Sequence, residues 1–153
     1  MSRYLDASVL VAALTNERET SRMQDWLGPQ APEDLFISDW GVTEFFSVLS
    51  IRLRSVPITV TDHANSVAMF TRLCADSIGV LPVTSQNVRS SARFSNQYAL
   101  GLRAENAHHL AVCANYGATL CSLDRRLAEA APQARLPPRF CNQYSFGKVK
   151  ADG

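Results

Sequence analysis

Short apolar runs alternate with longer amphipathic segments along this 153-residue chain. The runs RYL, DLFIS, IGVLPVT and ATLCSL predict strands, because each is brief and is bounded by turn-forming or polar residues. The segments between them repeat apolar residues every three or four positions, which predicts amphipathic helices. Strands that alternate with helices predict an α/β fold with a mostly parallel central sheet.

Three of the predicted helices have an inward face that the sequence specifies. The helix in WGVTEFFSVLSIRLR is expected to bury one stripe and leave Glu44 off it; the stripe is Val42, Phe45, Phe46, Leu49 and Leu53. The helix in TDHANSVAMFTRLCADS is expected to bury Ala64, Val67, Phe70 or Thr71, and Cys74. The helix in LRAENAHHLAVC has a narrow face of small residues, which predicts close packing against the sheet; it comprises Ala107, Leu110, Ala111 and Ala114.

Composition indicates a single globular domain, which we place at residues 1–146, followed by a loose tail at 147–153. No apolar run approaches the ~20 residues that span a bilayer, and Asp6 interrupts the first one, so neither a membrane span nor a signal peptide is expected. The four cysteines form no CxxC pair and are interpreted as reduced thiols of a cytoplasmic protein. The net charge of +1 excludes a polycation but not a local basic patch.

Acidic residues stand where the predicted strands end. Asp6 and Asp124 each follow a strand, and the carboxyl ends of parallel strands lie at one edge of a sheet. Glu44 belongs to the helix after the second strand, and residue 106 lies near the start of another helix. Side chains from four remote segments are therefore expected to converge at this edge.

Clustered carboxylates repel one another, and a hard divalent cation relieves the repulsion. Magnesium and manganese prefer oxygen ligands and retain several waters. Such a site suits phosphodiester hydrolysis, because the cation activates water and stabilises charge on phosphate. Each residue also has a simpler explanation. Asp6 and Asp124 can be helix N-caps, Glu44 a solvated side chain, and His108 and His109 a surface pair or a satisfied core pair.

The stretches YLDASVLVA, TEF and LRAENAHHLAVCANYGATLCSLDRRLAEAA, in this order over residues 3–140, resemble the PIN domain. The likeness is to the VapC toxins of bacterial toxin–antitoxin pairs in particular. It implies a three-layer α/β/α fold and a Mg²⁺- or Mn²⁺-dependent endoribonuclease that cleaves structured RNA, tRNA or rRNA, and so inhibits translation. It also implies a homodimer that a small VapB-type antitoxin inhibits by inserting a segment into the active-site groove.

The resemblance assigns roles to individual residues of this chain. Asp6, Glu44 and Asp124 match three acidic metal ligands of the family. Ser8 and Ser122 match hydroxyl residues that help position the metal or its water, and Arg103 matches a positioning residue before the third acid. That third acid falls on position 106, where this chain has asparagine.

Asn106 offers one neutral oxygen in place of a carboxylate, which weakens cation affinity. Three explanations remain open: an engineered replacement of a native aspartate, a naturally attenuated or silent protein, or substitution by Glu105. The last is the least favoured, because adjacent helical side chains differ in direction by about 100°.

Two other functions remain as alternatives. Asn106 favours a catalytically silent module that holds RNA or an antitoxin, and the capping explanation favours a plain α/β interaction domain. Partner contacts are expected on the helices at 40–54 and 62–77, whose apolar residues core burial explains equally well. Trp26 and Trp40 can stack on bases or simply pack.

Overall fold

The computed structural model describes residues 1–55 and 58–134, and the predicted tail at 147–153 lies outside them. The described elements run in alternating order, as the sequence pattern predicts. The strands are β1 (Arg3–Leu5), β2 (Leu35–Ser38), β3 (Gly79–Leu81) and β4 (Thr119–Cys121). The helices are α1 (Ala7–Leu14), α2 (Thr20–Leu27), α3 (Asp39–Ser55), α4 (Val60–Asp76), α5 (Ser85–Ser95), α6 (Ala104–Tyr116) and α7 (Arg125–Gln133).

The four strands form one parallel sheet in the order β3-β2-β1-β4. The first strand of the chain is therefore central, with β2 on one side and β4 on the other. Since parallel neighbours require crossovers, every connection carries at least one helix, and all four strands end at the same edge. This confirms the predicted α/β class and the mostly parallel sheet.

Alternation along the strands divides the core between the two faces of the sheet. Tyr4 and its register partner Leu120 contribute to one buried cluster, whereas Leu5 and Cys121 contribute to the other. The Leu5 cluster packs against side chains of α1, α3 and α4, and the Tyr4 cluster against α6 and α7. The result is the expected three-layer α/β/α arrangement.

Two of the predicted buried stripes need correction. On α3, Phe45 and Leu49 are fully buried, but Phe46 is 40% exposed and meets Phe70 only edge-on. On α4, Ala64 is exposed, whereas Ser66 is buried and donates its hydroxyl to the Leu14 carbonyl oxygen. On α4 a polar side chain thus takes an inward position that apolar periodicity does not predict.

Side-chain hydrogen bonds cap the starts of two further helices. Thr84 caps α5 in a reciprocal box with Asn87, and Ser38 accepts a hydrogen bond from the backbone N–H of Gly41 at the start of α3. On α6, Ala107, Leu110 and Ala111 are buried, as the small-residue face predicts. None of the helices in the described part of the chain combines the length and apolarity needed to cross a membrane.

Candidate active site

A cavity of about 630 Å³ opens at the carboxyl edge of the sheet. Its walls come from the starts of α1 and α7, from α3 and from α6. The structure brings four of the predicted site residues into this lining, Asp6, Glu44, Asn106 and Asp124, together with Ser8. Their convergence follows from the topology, because β1, β2 and β4 all end at this edge.

Asp6 lies at the junction of β1 and α1 and is almost fully buried. Its Oδ1 accepts from the backbone N–H of Ser8 at 3.1 Å and from the Ser8 hydroxyl, while its Oδ2 accepts from the Ser122 hydroxyl. The residue is thus the N-cap of α1, as the simpler explanation predicts. It is also a carboxyl group at the floor of a cavity, so the two explanations are compatible.

Ser8 and Ser122 connect the two strand ends. Each donates its hydroxyl hydrogen to Asp6 and accepts a backbone N–H from the β4 side, Ser8 from Leu123 and Ser122 from Asp124, both at 2.9 Å. The resemblance placed these hydroxyls near a metal or its water. In the structure, both hydroxyls are bonded to the Asp6 carboxyl group.

Burial raises the pKa of the Asp6 carboxyl group above its ordinary value, because a charge there has lost its water. The neighbouring His109 ring and the hydrogen bonds from Ser122 and Ser8 oppose this rise, and the nearby Glu44 adds to it. A carboxylate held in such a place carries an electrostatic cost that a neighbouring cation would relieve.

Asp124 and Asn106 form a pair across the cavity. Asp124 Oδ1 caps α7 by accepting from the backbone N–H of Leu127 at 3.2 Å. Asp124 Oδ2 accepts from the side-chain Nδ2 of Asn106 at 3.0 Å. The amide therefore satisfies Asp124 by itself, where an aspartate at position 106 would repel it.

Glu44 points from α3 to α6, where its Oε2 contacts Nε2 of His109. The other ring nitrogen of His109, Nδ1, lies 2.8 Å from the hydroxyl of Tyr4, which in turn lies 2.7 Å from the hydroxyl of Ser38. Tyr4, His109 and Ser38 are buried, and burial holds the pKa of Tyr4 well above its usual range, so its hydroxyl stays protonated.

Sequence reasoning missed this polar chain. It treated His109 as one of a bland histidine pair and did not consider Tyr4 beyond its strand. One signal was present: His109 follows Asn106 by three positions, and residues three apart share a helix face. The contacts to Glu44 and Tyr4 span 65 and 105 residues, and no local pattern reveals such pairings.

Arg103 and Glu105 differ in their position relative to the cavity. Arg103 is exposed at the N-terminus of α6 and does not line the cavity, so the structure does not bring it to the acidic residues. Glu105 does line it, although the helix geometry made its participation the least favoured.

His108 and Trp40 form a ring contact near the cavity. Trp40 lines the cavity, and its ring lies 5.0 Å from the ring of His108. Burial lowers the pKa of His108, aided by the neighbouring His109 ring and opposed by Glu44. Trp26 packs against the Leu5 cluster, which favours the packing explanation for that residue.

The donor set suits a hard divalent cation, since carboxylate and amide oxygens are the ligands that Mg²⁺ and Mn²⁺ prefer. The described residues contain no ready-made group of three or more His, Cys, Asp or Glu side chains that could hold a metal ion. Asn106 interrupts the acidic set, and Asp124 is bonded to it. The oxygen donors therefore match the ion in kind, whereas the described residues do not form an assembled acidic metal site.

Comparison with known proteins identifies the fold and the family. The PIN domain model matches residues 3–132, which is most of the chain. This chain belongs to the PIN domain family, as the resemblance in its motifs predicts. No curated protein sequence gives a significant match.

Solved structures share the fold at low identity. VapC20 of Mycobacterium tuberculosis, a Sarcin-Ricin loop cleaving toxin, is 16% identical with a TM-score of 0.69, over 84% of this chain and 95% of that one. FitAcB from Neisseria gonorrhoeae is 16% identical with a TM-score of 0.63, over 85% and 93%. VapBC2 from Rickettsia felis, bound to a promoter DNA fragment, is 11% identical with a TM-score of 0.59, over 93% and 98%.

Proposed function

We propose that this protein is a VapC-type toxin, a metal-dependent endoribonuclease whose activity Asn106 attenuates or abolishes. The observation that carries the proposal is the meeting of Asp6, Glu44, Asp124 and Asn106 around one cavity at the carboxyl edge of the sheet. Membership of the PIN domain family and the toxins among the structural neighbours support it.

Asp6, Glu44, Asn106 and Asp124 would hold Mg²⁺ or Mn²⁺. When bound, such an ion supplies Lewis-acid stabilisation of phosphate charge and a more acidic water. The residues of the chain itself place the donors: Ser8 and Ser122 hold Asp6, and the backbone of α7 holds Asp124. The proposed substrate is a structured RNA, a tRNA or an rRNA loop.

Arg52 is an arginine in the lining of the cavity. It lies eight residues after Glu44 on α3, about 12 Å along the helix axis at 1.5 Å per residue. Arg52 is paired with Glu17 and bonded to the Thr15 hydroxyl at 3.2 Å. Added salt is expected to weaken RNA binding, because basic side chains that contact RNA phosphates release counterions from the RNA.

The proposed partners are an RNA, a VapB-type antitoxin and a second copy of the chain. FitAcB and VapBC2 are toxin–antitoxin relatives in fold, which supports an antitoxin partner. The thiols of Cys74 and Cys121 agree with the proposed cytoplasmic location; Cys141 lies outside the described residues.

The test is RNA cleavage with manganese, in which this chain is compared with Asn106→Asp. Cleavage by the Asp variant alone would identify a ribonuclease that Asn106 disables, and cleavage by both would make Asn106 a tolerated ligand. Metal binding that survives combined Asp6→Ala and Asp124→Ala substitution would overturn the site assignment.

A silent binding module is the second candidate. The observation that favours it is the hydrogen bond from Asn106 to Asp124, which satisfies the site without a cation. This candidate predicts that the protein binds RNA or an antitoxin. It also predicts that RNA is not cleaved, either with manganese or after the Asn106→Asp substitution. Gel-shift and cleavage assays on the same RNA samples separate the two.

A further inference from the structure

A chain of hydrogen bonds runs through the protein interior and ends on Glu44. It begins at the backbone N–H of Gly41, which donates to the Ser38 hydroxyl oxygen at 3.1 Å. It passes from Ser38 to Tyr4 and from Tyr4 to Nδ1 of His109. It ends where Nε2 of His109 meets the Glu44 carboxylate.

We propose that Tyr4 and His109 are positioning residues that hold the Glu44 carboxylate in the cavity, with His109 fixed as its Nε2–H tautomer. The metal-binding role of Glu44 in this inference rests on the proposed function, whereas the hydrogen-bond geometry does not. Neither residue lies among the acidic and hydroxyl positions that the motifs of this chain assign to the site.

The direction of the chain follows from counting donors. The Gly41 N–H can only donate, and an ionised Glu44 can only accept. Donation to Glu44 requires a hydrogen on Nε2 of His109, and in the neutral ring that hydrogen leaves Nδ1 to accept from Tyr4. Tyr4 then accepts from the Ser38 hydroxyl, and Ser38 accepts from Gly41. Every hydrogen in the chain therefore points toward Glu44.

The opposite tautomer conflicts with this arrangement. With its hydrogen on Nδ1, His109 would present a lone pair on Nε2 to the lone pairs of Glu44. Two acceptors in contact repel, and a buried polar group without a partner destabilises the folded state. Since His109 is only 2% exposed and Tyr4 is 0% exposed, water is a poor substitute for either partner.

The consequence for Glu44 is orientation. The Glu44 side chain is 22% exposed. Without a hydrogen-bond partner, a glutamate on a helix would sample several rotamers. Holding Oε2 at His109 fixes the direction in which Oε1 points. Residues that orient the ligating side chains of metal sites typically change metal affinity about 10–100-fold when they are removed.

The first experiment needs neither metal nor activity. Nitrogen-15 NMR of the histidine side chains in EDTA at pH 8 reports the tautomer of each ring, with His109 assigned by its loss in His109→Gln. We expect neutral His109 as the Nε2–H tautomer in the parent and a mixture of tautomers in Tyr4→Phe. A parent His109 in the Nδ1–H form, or protonated on both nitrogens, would overturn the proposal.

The second experiment uses two amide substitutions of His109 that differ in the bond they preserve. A glutamine amide at position 109 extends to about the place of Nε2 and can donate to Glu44, whereas an asparagine amide reaches only the place of Nδ1. Both substitutions remove the imidazole ring, so each variant controls for the packing that the other loses. We expect His109→Asn to bind Mn²⁺ about 10–100-fold more weakly than His109→Gln.

Calorimetric titration with Mn²⁺ measures this difference, and thermal unfolding in EDTA measures the shared structural cost. Both variants are made in the parent and in the Asn106→Asp background. Equal Mn²⁺ affinity of the two variants in a background that binds the ion would overturn the positioning role. If neither background binds Mn²⁺, the proposed function fails, and the tautomer measurement still decides whether the directional chain exists.

Discussion

At the scale of single residues, the hydrogen bond from Asn106 to Asp124 joins two residues of the proposed metal site. The amide of Asn106 donates to Asp124, so the two side chains attract instead of repelling. The same replacement removes one negative charge from the donor set for a divalent ion. One side chain thus shifts the balance between a satisfied metal-free site and a metal-binding one.

We expect Asn106→Asp to lower the stability of the metal-free protein by about 1–3 kcal/mol, because a hydrogen bond becomes a repulsive contact. Manganese should restore more stability to this variant than to the parent. Thermal unfolding in EDTA and in manganese measures both effects. Asn106→Ala is the control, since it removes the hydrogen bond without adding a charge; equal behaviour of the two variants would contradict this account.

The pH dependence of the metal-free protein should report Asp6. Burial raises the pKa of Asp6 in the folded protein above the ordinary value of 3.8. The folded state therefore favours the protonated carboxyl group, and stability is lost as the pH rises through the folded pKa. We therefore expect the parent to lose stability relative to Asp6→Asn as the pH rises from about 4 toward neutrality. Urea unfolding in EDTA measures this difference.

Asp25→Asn provides a matched control for that series, because Asp25 is exposed on α2 and lies away from the cavity. Its stability should follow the parent at every pH. A parent that gained stability over Asp6→Asn with rising pH would show that the Asp6 carboxylate is favoured by its surroundings.

At the scale of elements, helix starts and the candidate site coincide. Asp6 begins α1 and Asp124 begins α7, and each accepts a backbone N–H of the helix that it precedes. Because these helices begin where parallel strands end, capping side chains and cavity side chains occupy the same edge. A capping residue at this edge is therefore compatible with a metal ligand.

Two substitutions of Asp124 separate these roles. Asparagine caps helices about as well as aspartate, so Asp124→Asn should leave stability within about 0.5 kcal/mol of the parent. Alanine cannot cap, and Asp124→Ala should cost about 1 kcal/mol. Both should reduce Mn²⁺ affinity in the Asn106→Asp background. Chemical unfolding and calorimetry give the two readings, and undiminished Mn²⁺ affinity in Asp124→Asn would leave only the capping role.

At the scale of the whole molecule, α3 and α4 leave large apolar side chains in solvent. Ile51 is 49% exposed on α3, and Met69 is 54% exposed on α4. These helices cover the segments at 40–54 and 62–77, where the sequence predicts partner contacts. Within a single chain such exposure costs free energy, which a second copy of the chain would recover.

We expect the protein to form a homodimer that Ile51→Glu dissociates, since a charge at the centre of an apolar contact loses its water. Sedimentation velocity across a concentration series measures the change. Tyr98→Glu is the control: Tyr98 is 95% exposed and lies beyond α5, in another region of the molecule. A monomeric parent, or equal dissociation by the control, would refute the assignment of this face.

The class of the fold and most of the candidate site could be predicted from the sequence. Apolar periodicity and capping residues are local, so the strands, the helices and the starts of α1, α5 and α7 could be predicted from neighbours along the chain. The placement of Asp6 and Asp124 at one edge followed from the rule that parallel strands end together. The motifs predicted the PIN family, and the family comparison confirmed it.

The strand order, the buried faces of the helices and the interior contacts of the site could not be predicted from the sequence. The order β3-β2-β1-β4 depends on how whole layers pack, and the burial of Ser66 depends on a carbonyl 52 residues away. The contacts of His109 with Glu44 and Tyr4 join α6 to α3 and β1. Such pairings depend on the relative placement of three elements in space, and hydrophobic periodicity carries no information about that placement.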